Sequence, residues 1–200
     1  MGLDQTVLRA EQLVQAYQPD TIIVSFIAHD VHRTQMSFYS GRAKPYFDIE
    51  AGALRLHPAP VPVRPLMKRI LSQSMFLYML LEEYLQTLAD SVHHRGGEVA
   101  CLLMQRLASL GGTSHARVIV VAQPQVPIEA PDNVQVKDNV LTCARNNHLE
   151  VLDLFPAIER EQEPSRFYVH SGQQFGHMNR EGNRFVATMV SSALSGRSGK

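Results

Sequence analysis

Thr21-Ile-Ile-Val-Ser-Phe-Ile-Ala28 is the most strand-like run of the chain, and the predicted architecture is built around it. A continuous apolar run rich in β-branched residues is typical of a strand buried on both faces. Pro19 and Asp20 separate it from a segment that repeats apolar residues at helical spacing. Those apolar residues are Leu3, Val7, Ala10, Val14 and Tyr17. The sequence therefore predicts a helix followed by a buried strand.

The same alternation of helix and strand continues to the end of the chain. Apolar spacing and breakers predict helices over residues 66–92, 99–110, 134–147 and 180–194, strands over 116–122 and 149–154, and a short helix after Pro156. Gly96-Gly97 and Gly111-Gly112 are read as the breaks around the 99–110 helix. This order favours parallel pairing, and hence a three-layer α/β/α fold.

Residues 29–66 do not fit this alternation, because they carry Pro45, Pro58, Pro60, Pro62 and Pro65. Proline excludes long helices and central strands. Within this stretch, residues 46–50 and 53–56 flank Gly52, which predicts a small hairpin. We therefore expect a proline-rich insertion at about residues 31–66 over the rim of the sheet.

The predicted sheet has three strong strands and looks incomplete at its N-terminal side. The run at residues 21–28 has the composition of a central strand, which needs a neighbour on each side. A bare edge there would expose unpaired backbone groups. We therefore expect either that strands are missing from the front or that the chain forms a homo-oligomer through this exposed sheet edge.

Composition narrows the range of partners and compartments. The 200 residues are 44% hydrophobic, with 19 Lys+Arg against 19 Asp+Glu, so no basic surface for nucleic acid is predicted. No signal peptide and no membrane-spanning run is found. The chain as it stands is thus expected in the cytoplasm, or in the periplasm or outside the cell if an upstream segment has been lost. Cys101 and Cys143 share no metal or redox spacing and are expected as buried free thiols.

A histidine near the C-terminus carries the strongest functional signal. In Phe175-Gly-His-Met-Asn-Arg-Glu-Gly-Asn-Arg-Phe-Val-Ala187, a glycine-flanked loop is predicted to present His177 just before an amphipathic helix. This run resembles the last conserved block of SGNH/GDSL-type hydrolases, which supplies the catalytic histidine. Gly2-Leu-Asp-Gln5 resembles the end of their second block, and Ile27-Ala-His-Asp30 resembles their third.

The resemblance implies a fold and a chemistry. The fold would be flavodoxin-like with a mostly parallel sheet, as one domain over residues 1–194 with a flexible tail at 195–200. The activity would be serine-dependent acyl transfer, as an ester hydrolase or acyl transferase acting on a small-molecule or carbohydrate ester without metal or cofactor. His177 would be general base and then acid, Gly2 N–H and His29 would form the oxyanion hole, and Asp30 and Asn179 would support the rim.

The chain departs from the family at the catalytic positions. No Gly-Asp-Ser nucleophile block is found in it, and Gln174 stands where the triad aspartate is expected. His29 replaces the oxyanion-hole asparagine of the third block. None of the serines at positions 25, 40, 114 and 171 has the spacing of a nucleophile elbow. Asp153 remains a candidate to support His177 from a neighbouring strand.

Two hypotheses follow from these motifs and departures. The chain is either the greater part of an SGNH/GDSL-like acyl-transfer enzyme, truncated at its N-terminus and inactive in this form, or a non-catalytic member of that family. The second would bind a carbohydrate or a protein, and Gln174 favours it because an amide cannot carry the charge that stabilises an imidazolium.

Overall fold

The structure is a computed structural model that describes residues 2–39, 42–60, 92, 94–125, 131–171 and 174–195. The α-helices of these ranges are α1 (Leu3–Tyr17), α2 (Ala28–His32), α3 (Gly96–Ser114), α4 (Pro131–Asn146), α5 (Phe155–Glu159) and α6 (Arg180–Ser195), and short 3-10 helices lie at Arg33–Gln35 and Pro164–Phe167. Their strands are β1 (Thr21–Phe26), β2 (Phe38–Tyr39), β3 (Arg42–Ala43), β4 (Tyr46–Glu50), β5 (Ala53–His57), β6 (Arg117–Ala122), β7 (Glu150–Asp153), β8 (Tyr168–Ser171) and β9 (Gln174–Met178).

A parallel sheet of three strands in the order β1-β6-β7 forms the centre of this mixed α/β structure. Thr21 lies opposite Arg117 and Phe26 opposite Ala122, while Ala122 also lies opposite Asp153. All three predicted strands are confirmed, although β1 ends at Phe26 because Ala28 already begins α2. Three further two-stranded antiparallel sheets surround this centre: β2-β3, β4-β5 and β8-β9.

Helices cover the two faces of the parallel sheet unequally. On one face, the apolar sides of α1, α3 and α4 join alternate residues of β1 and β6 in one continuous core. On the other face, Ile119 and Val121 of β6 pack with Leu154 against the apolar stripe of α6. The layers expected from the order of helices and strands are therefore present around β6 and β7.

The proline-rich excursion carries the hairpin that its sequence predicts. Strands β4 and β5 pair from Tyr46–His57 to Glu50–Ala53. Ala51 and Gly52 both adopt positive φ, 50° and 81°, as a tight two-residue hairpin turn requires. Phe47 of β4 is fully buried in the main core, so this hairpin is anchored to the helical layer. The predicted helix over 66–92 lies outside the described residues except for Val92.

Helix α3 is longer than predicted, and both glycine pairs lie inside it. A Cβ added at Gly111 would approach Cγ2 of Val118 to 2.7 Å, and one at Gly96 would approach the Gln35 side chain to 2.5 Å. These glycines therefore permit close packing of the helix against its neighbours instead of ending it. The helix ends at His115, which adopts the left-handed conformation with φ 54°.

Residues 175–177, predicted to be a loop, instead belong to strand β9. Tyr168 pairs with Met178 and Ser171 with Gln174 in the antiparallel β8-β9 hairpin. The sequence favoured a loop here because glycine stands beside His177, and glycine in a strand interior weakens the strand. The backbone hydrogen bonds from β8 outweigh that local preference, as tertiary context commonly does.

The prediction of two free thiols was wrong. Cys101 of α3 and Cys143 of α4 form a disulfide, with their Cα atoms 5.2 Å apart. They are 42 residues apart in sequence, so only the side-by-side packing of the two helices reveals that they meet. The bond cross-links two of the three helices that cover one face of the sheet.

Thiol counting tests this disulfide. After air oxidation, the denatured and unreduced protein should show no reactive thiol, and reduction should release both cysteines. The Cys101→Ser variant is the control and should show one free thiol without reduction. Two reactive thiols in the oxidised, denatured wild-type protein would contradict the pairing.

A buried ion pair ties the start of α1 to the excursion. The Lys44 ammonium lies 2.6 Å from the Asp4 carboxylate, and the two residues are 4% and 0% exposed. Burial raises the pKa of Asp4 and lowers the pKa of Lys44, while their mutual attraction opposes both shifts. The Asp4 carboxylate also accepts a hydrogen bond from the Gln5 N–H.

Removing one partner of this pair should cost more stability than removing both. We expect Lys44→Met to lower the free energy of unfolding by about 3–5 kcal/mol, because it leaves a buried carboxylate unpaired. Adding Asp4→Asn should recover more than half of that loss, as urea denaturation would measure. In Lys44→Met, stability should rise as pH falls, because the pKa of Asp4 exceeds its unfolded value and the folded state gains the proton. Additive effects of the two substitutions would contradict this coupling.

Candidate functional site

The candidate site lies at the carboxyl edge of the parallel sheet. Because β1, β6 and β7 are parallel, the segments that follow them begin at the same edge. These segments are Ile27–Asp30, Gln123–Gln125 and Leu154–Phe155. This is the edge at which open α/β sheets bind ligands.

His29 lies at this edge in the first turn of α2, with an exposed side chain. Its backbone N–H donates to Oε1 of Gln125, 3.2 Å away, which joins the segments after β1 and β6. Partial burial, with the positive charges of Arg33 and His32, lowers the pKa of His29. The imidazole is therefore neutral at pH 7, with one ring N–H to donate.

Asp30 is at the same edge, but both of its carboxylate oxygens have partners. One oxygen accepts the Ile27 N–H at 3.2 Å, and the other lies 2.9 Å from the Arg33 guanidinium. Asp30 thus stabilises the turn into α2, which is the role that a carboxylate in the first turn of a helix commonly has.

Gly2 begins α1 beside these residues. A Cβ built on Gly2 would lie 3.2 Å from Cβ of Arg33 and 2.4 Å from Oδ1 of Asp4, so the close approach requires glycine. Its N–H donates to Oε1 of Gln5 at 3.3 Å. The proposed oxyanion donor therefore already has an acceptor in this structure, and it would have to exchange Gln5 for a substrate oxygen.

Helix α6 brings the His177 segment to the same edge. At the start of β6, the Arg117 guanidinium donates to the Ala193 carbonyl in the last turn of α6. Helix α6 packs along the β6 face, so its N-terminus lies toward the opposite, carboxyl end of the strand. His177 precedes this N-terminus by three residues and has an exposed side chain in β9.

Asn179 joins β9, β8 and α6 through its side-chain amide. Its oxygen accepts the N–H groups of Glu181 and Gly182 at 2.8 and 3.0 Å, and its nitrogen donates to the carbonyls of Arg166 and Tyr168. Asparagine is a preferred residue at this helix position because it satisfies N–H groups that have no partner within the helix. Asn179 therefore positions the His177 strand.

Tyr168 links this unit to the sheet and was not found by sequence reasoning. Its hydroxyl donates to the Pro124 carbonyl at 3.0 Å, and burial raises its pKa to about 12. Hydrogen bonds thus run from Asn179 to Tyr168 and then to the Pro124–Gln125 segment, which accepts from His29. A tyrosine in a short alternating run gave no signal that its hydroxyl would bond to the carbonyl of Pro124, 44 residues away, in the segment after β6.

Asp153 is at this edge too, but it is committed elsewhere. Its carboxylate accepts from the Lys137 ammonium at 2.9 Å and from the Phe155 N–H at 3.0 Å. The hypothesis that it supports His177 is therefore not favoured. Lys137, which sequence reasoning also missed, is nearly buried and lies over the Phe155 ring.

Two of the serines considered as nucleophiles from the sequence have other hydrogen-bond partners. Ser25 accepts a hydrogen bond from Nε2 of Gln123 at 2.6 Å within β1, and Ser114 donates to the Leu110 carbonyl at the end of α3. Ser171 lies in β8, and Ser40 lies outside the described residues. A cavity of about 370 Å³ is lined by Gly111, Arg117 and His148 among others, which places it at the amino edge of the sheet, opposite His29.

Comparison with protein-family models, with curated proteins and with solved structures finds no match for this chain. The family resemblance therefore stays a prediction that rests on the motif residues. In the described part of the chain, no helix has both the length and the apolar character needed to cross a membrane, and no cluster of three metal-binding side chains is found.

The lowered pKa of His29 can be tested by histidine NMR. We expect the His29 imidazole to titrate below its ordinary value of 6.5 and to shift upward in Arg33→Gln, which removes a repelling charge and frees Asp30. The pKa of His29 is lower in the folded protein than in the unfolded chain, so the unfolded chain takes up the proton first as pH falls below about 6.5. The free energy of unfolding therefore decreases between that pH and the folded pKa of His29. An unchanged His29 titration in Arg33→Gln would contradict this assignment of the cause.

Proposed function

We propose that this chain is a serine-dependent acyl-transfer domain of the SGNH/GDSL type, acting on a small-molecule or carbohydrate ester. The observation that carries the proposal is that Gly2, His29 and the N-terminal end of α6 all lie toward the carboxyl edge of a parallel sheet. The proposal assigns the Gly2 N–H and the His29 ring N–H as oxyanion donors, and it assigns His177, whose side chain is exposed in β9, as the base.

In the proposed mechanism, a serine hydroxyl attacks the ester carbonyl while His177 takes its proton. The carbonyl oxygen becomes negative and accepts hydrogen bonds from the Gly2 N–H and the His29 ring N–H. His177 then gives the proton to the departing alcohol. Water or a second alcohol attacks the acyl-serine in the reverse sequence, so that His177 is restored as the neutral base.

The histidine in this proposal works as a dyad with the serine. The carboxylates of Asp30 and Asp153 have other partners, and Gln174 occupies the family's aspartate position. The nucleophile is not supplied by a Gly-Asp-Ser block within residues 1–200. We therefore expect these residues by themselves to lack esterase activity.

One observation favours a non-catalytic binding module as the second candidate. The Gly2 N–H is satisfied by Gln5, so the oxyanion hole is closed by the chain's own side chain. In that case the exposed His29 and His177 would contact a carbohydrate or a protein without covalent chemistry. The Cys101–Cys143 disulfide supports a periplasmic or extracellular location for either candidate, because disulfides persist in oxidising compartments.

A serine-reactive fluorophosphonate probe and p-nitrophenyl acetate separate these candidates. Purified residues 1–200 should show no labelling and only background hydrolysis. Hydrolysis above background that His177→Ala abolishes would contradict the expected inactivity and identify an unrecognised nucleophile.

The same assay on the full product of the gene, including whatever the reading frame upstream of Met1 encodes, tests the enzyme itself. Labelling of a serine, with a loss of kcat/KM of roughly 10⁴-fold or more in His177→Ala, would support acyl transfer. His148→Asn, at the amino edge of the sheet, is the matched control and should keep full activity. No labelling of that full product would contradict the acyl-transfer proposal and leave the binding module.

A further inference from the structure

Strand β1 is the last strand on one side of the parallel sheet in the described residues. The sheet order is β1-β6-β7, and β1 pairs with β6 alone. The carbonyls of Asp20 and Phe26 accept from the N–H groups of Arg117 and Gln123, so the even-numbered groups of β1 point toward β6. By the alternation of a strand, the N–H and C=O groups of Thr21, Ile23 and Ser25 point away from the sheet.

The apolar surface beside this edge is also uncovered. Ile23 lies opposite Ile119 in the register and shares its face of the sheet. Ile119 is 2% exposed beneath α6, whereas Ile23 is 43% exposed. Helix α6 therefore covers the β6 column of side chains and leaves the β1 column open to a further partner.

Strand β1 has none of the features that usually prevent strands from pairing at an edge. Its six residues, Thr-Ile-Ile-Val-Ser-Phe, include no charge and no proline, and its register with β6 is uninterrupted. Natural edge strands are commonly protected by lysine, proline or a bulge. An unprotected apolar edge is what a strand-pairing interface requires.

We propose that two copies of this chain pair through β1 in an antiparallel arrangement about a twofold axis at Ile23. The three outward residues of one copy then face the same residues of the other in reverse order: Thr21 opposite Ser25, Ile23 opposite Ile23, and Ser25 opposite Thr21. Each facing pair exchanges two backbone hydrogen bonds. The result is one continuous sheet of six strands.

The chemistry of the strand favours a second copy over an unrelated partner. The pattern Thr-Ile-Ser reads as hydroxyl, apolar, hydroxyl in both directions, so it is complementary to itself. Hydroxyl pairs and β-branched pairs stabilise facing strands, and no like charges meet. A twofold interface requires such self-complementarity. The exposed Ile23 side chains would cover each other at the axis.

The paired edge and the acyl-transfer site lie at different places on residues 1–200. A strand carried by an upstream segment that supplies the nucleophile would occupy the same edge of β1, so the dimer is proposed for residues 1–200 by themselves. The axis crosses the middle of β1, while His29 and His177 belong to the carboxyl edge, so both sites stay open at opposite ends of the extended sheet. A failure of either proposal is therefore measured separately: mass for the dimer, and serine labelling for the activity.

Sedimentation velocity or light scattering over a concentration series tests the dimer. We expect the wild-type protein to reach twice the monomer mass as concentration rises. Ile23→Lys should remain a monomer, because it puts two ammonium groups opposite each other at the axis. Leu13→Lys, which makes the same change at an exposed position of α1, should dimerise as the wild type does.

A cysteine placed at the axis tests the register. Facing residues that exchange hydrogen bonds in an antiparallel pair have Cα atoms about 5.5 Å apart, within the range of a disulfide. Ile23→Cys should thus form a covalent dimer on mild oxidation. Thr21→Cys should not, because its two copies would be separated by four residues, roughly 13 Å.

Three results would overturn the proposal. One is a protein that stays monomeric at every concentration. Slow hydrogen exchange of the β1 amides in that monomer would show that another part of the same chain covers the edge. The second is a dimer that Ile23→Lys leaves intact. The third is equal cross-linking of Thr21→Cys and Ile23→Cys, which would show that two copies cross-link by random collision and not in the twofold register.

Discussion

Burial of strand β6 on both faces is the constraint on which the rest of the structure depends. Val118, Val120 and Ala122 enter the core under α1, α3 and α4, while Ile119 and Val121 enter the core under α6. With a strand on each side, its backbone groups are satisfied within the sheet. Because parallel strands need long crossovers, α3 and α4 must return across the sheet, and polar segments collect at its carboxyl edge.

The carboxyl edge is assembled from neutral hydrogen bonds, while its charges are neutralised locally. Tyr168 and Asn179 attach the His177 strand to the sheet through backbone carbonyls. Each carboxylate of the edge has its own cation, Arg33 for Asp30 and Lys137 for Asp153. These pairings, together with the Ile27 and Phe155 N–H groups, hold the two carboxylates in the turns that follow β1 and β7.

The two faces of the sheet explain why the edge of β1 differs from the rest of the core. Helix α6 follows β6 and β7, and the opposite layer of three helices reaches β1. Ile119 and Ile23 are neighbours in the register on the α6 face, but helix α6 buries Ile119 and leaves Ile23 exposed. Within the described residues, the sheet is thus closed to solvent at its centre and open at the β1 side, and the candidate site and this side edge are separate features.

The sequence by itself determined the alternation of helices and strands, the parallel centre, the β4-β5 hairpin and the segments that reach the carboxyl edge. Those follow from periodicity, β-branched runs and turn residues, which are local properties. The tertiary structure alone decided that Cys101 meets Cys143, that Gly96 and Gly111 of α3 permit close packing, that β9 is a strand and that Tyr168 reaches Pro124. The physical reason is that each of these depends on partners distant in sequence, brought together by the packing of helices on a common sheet.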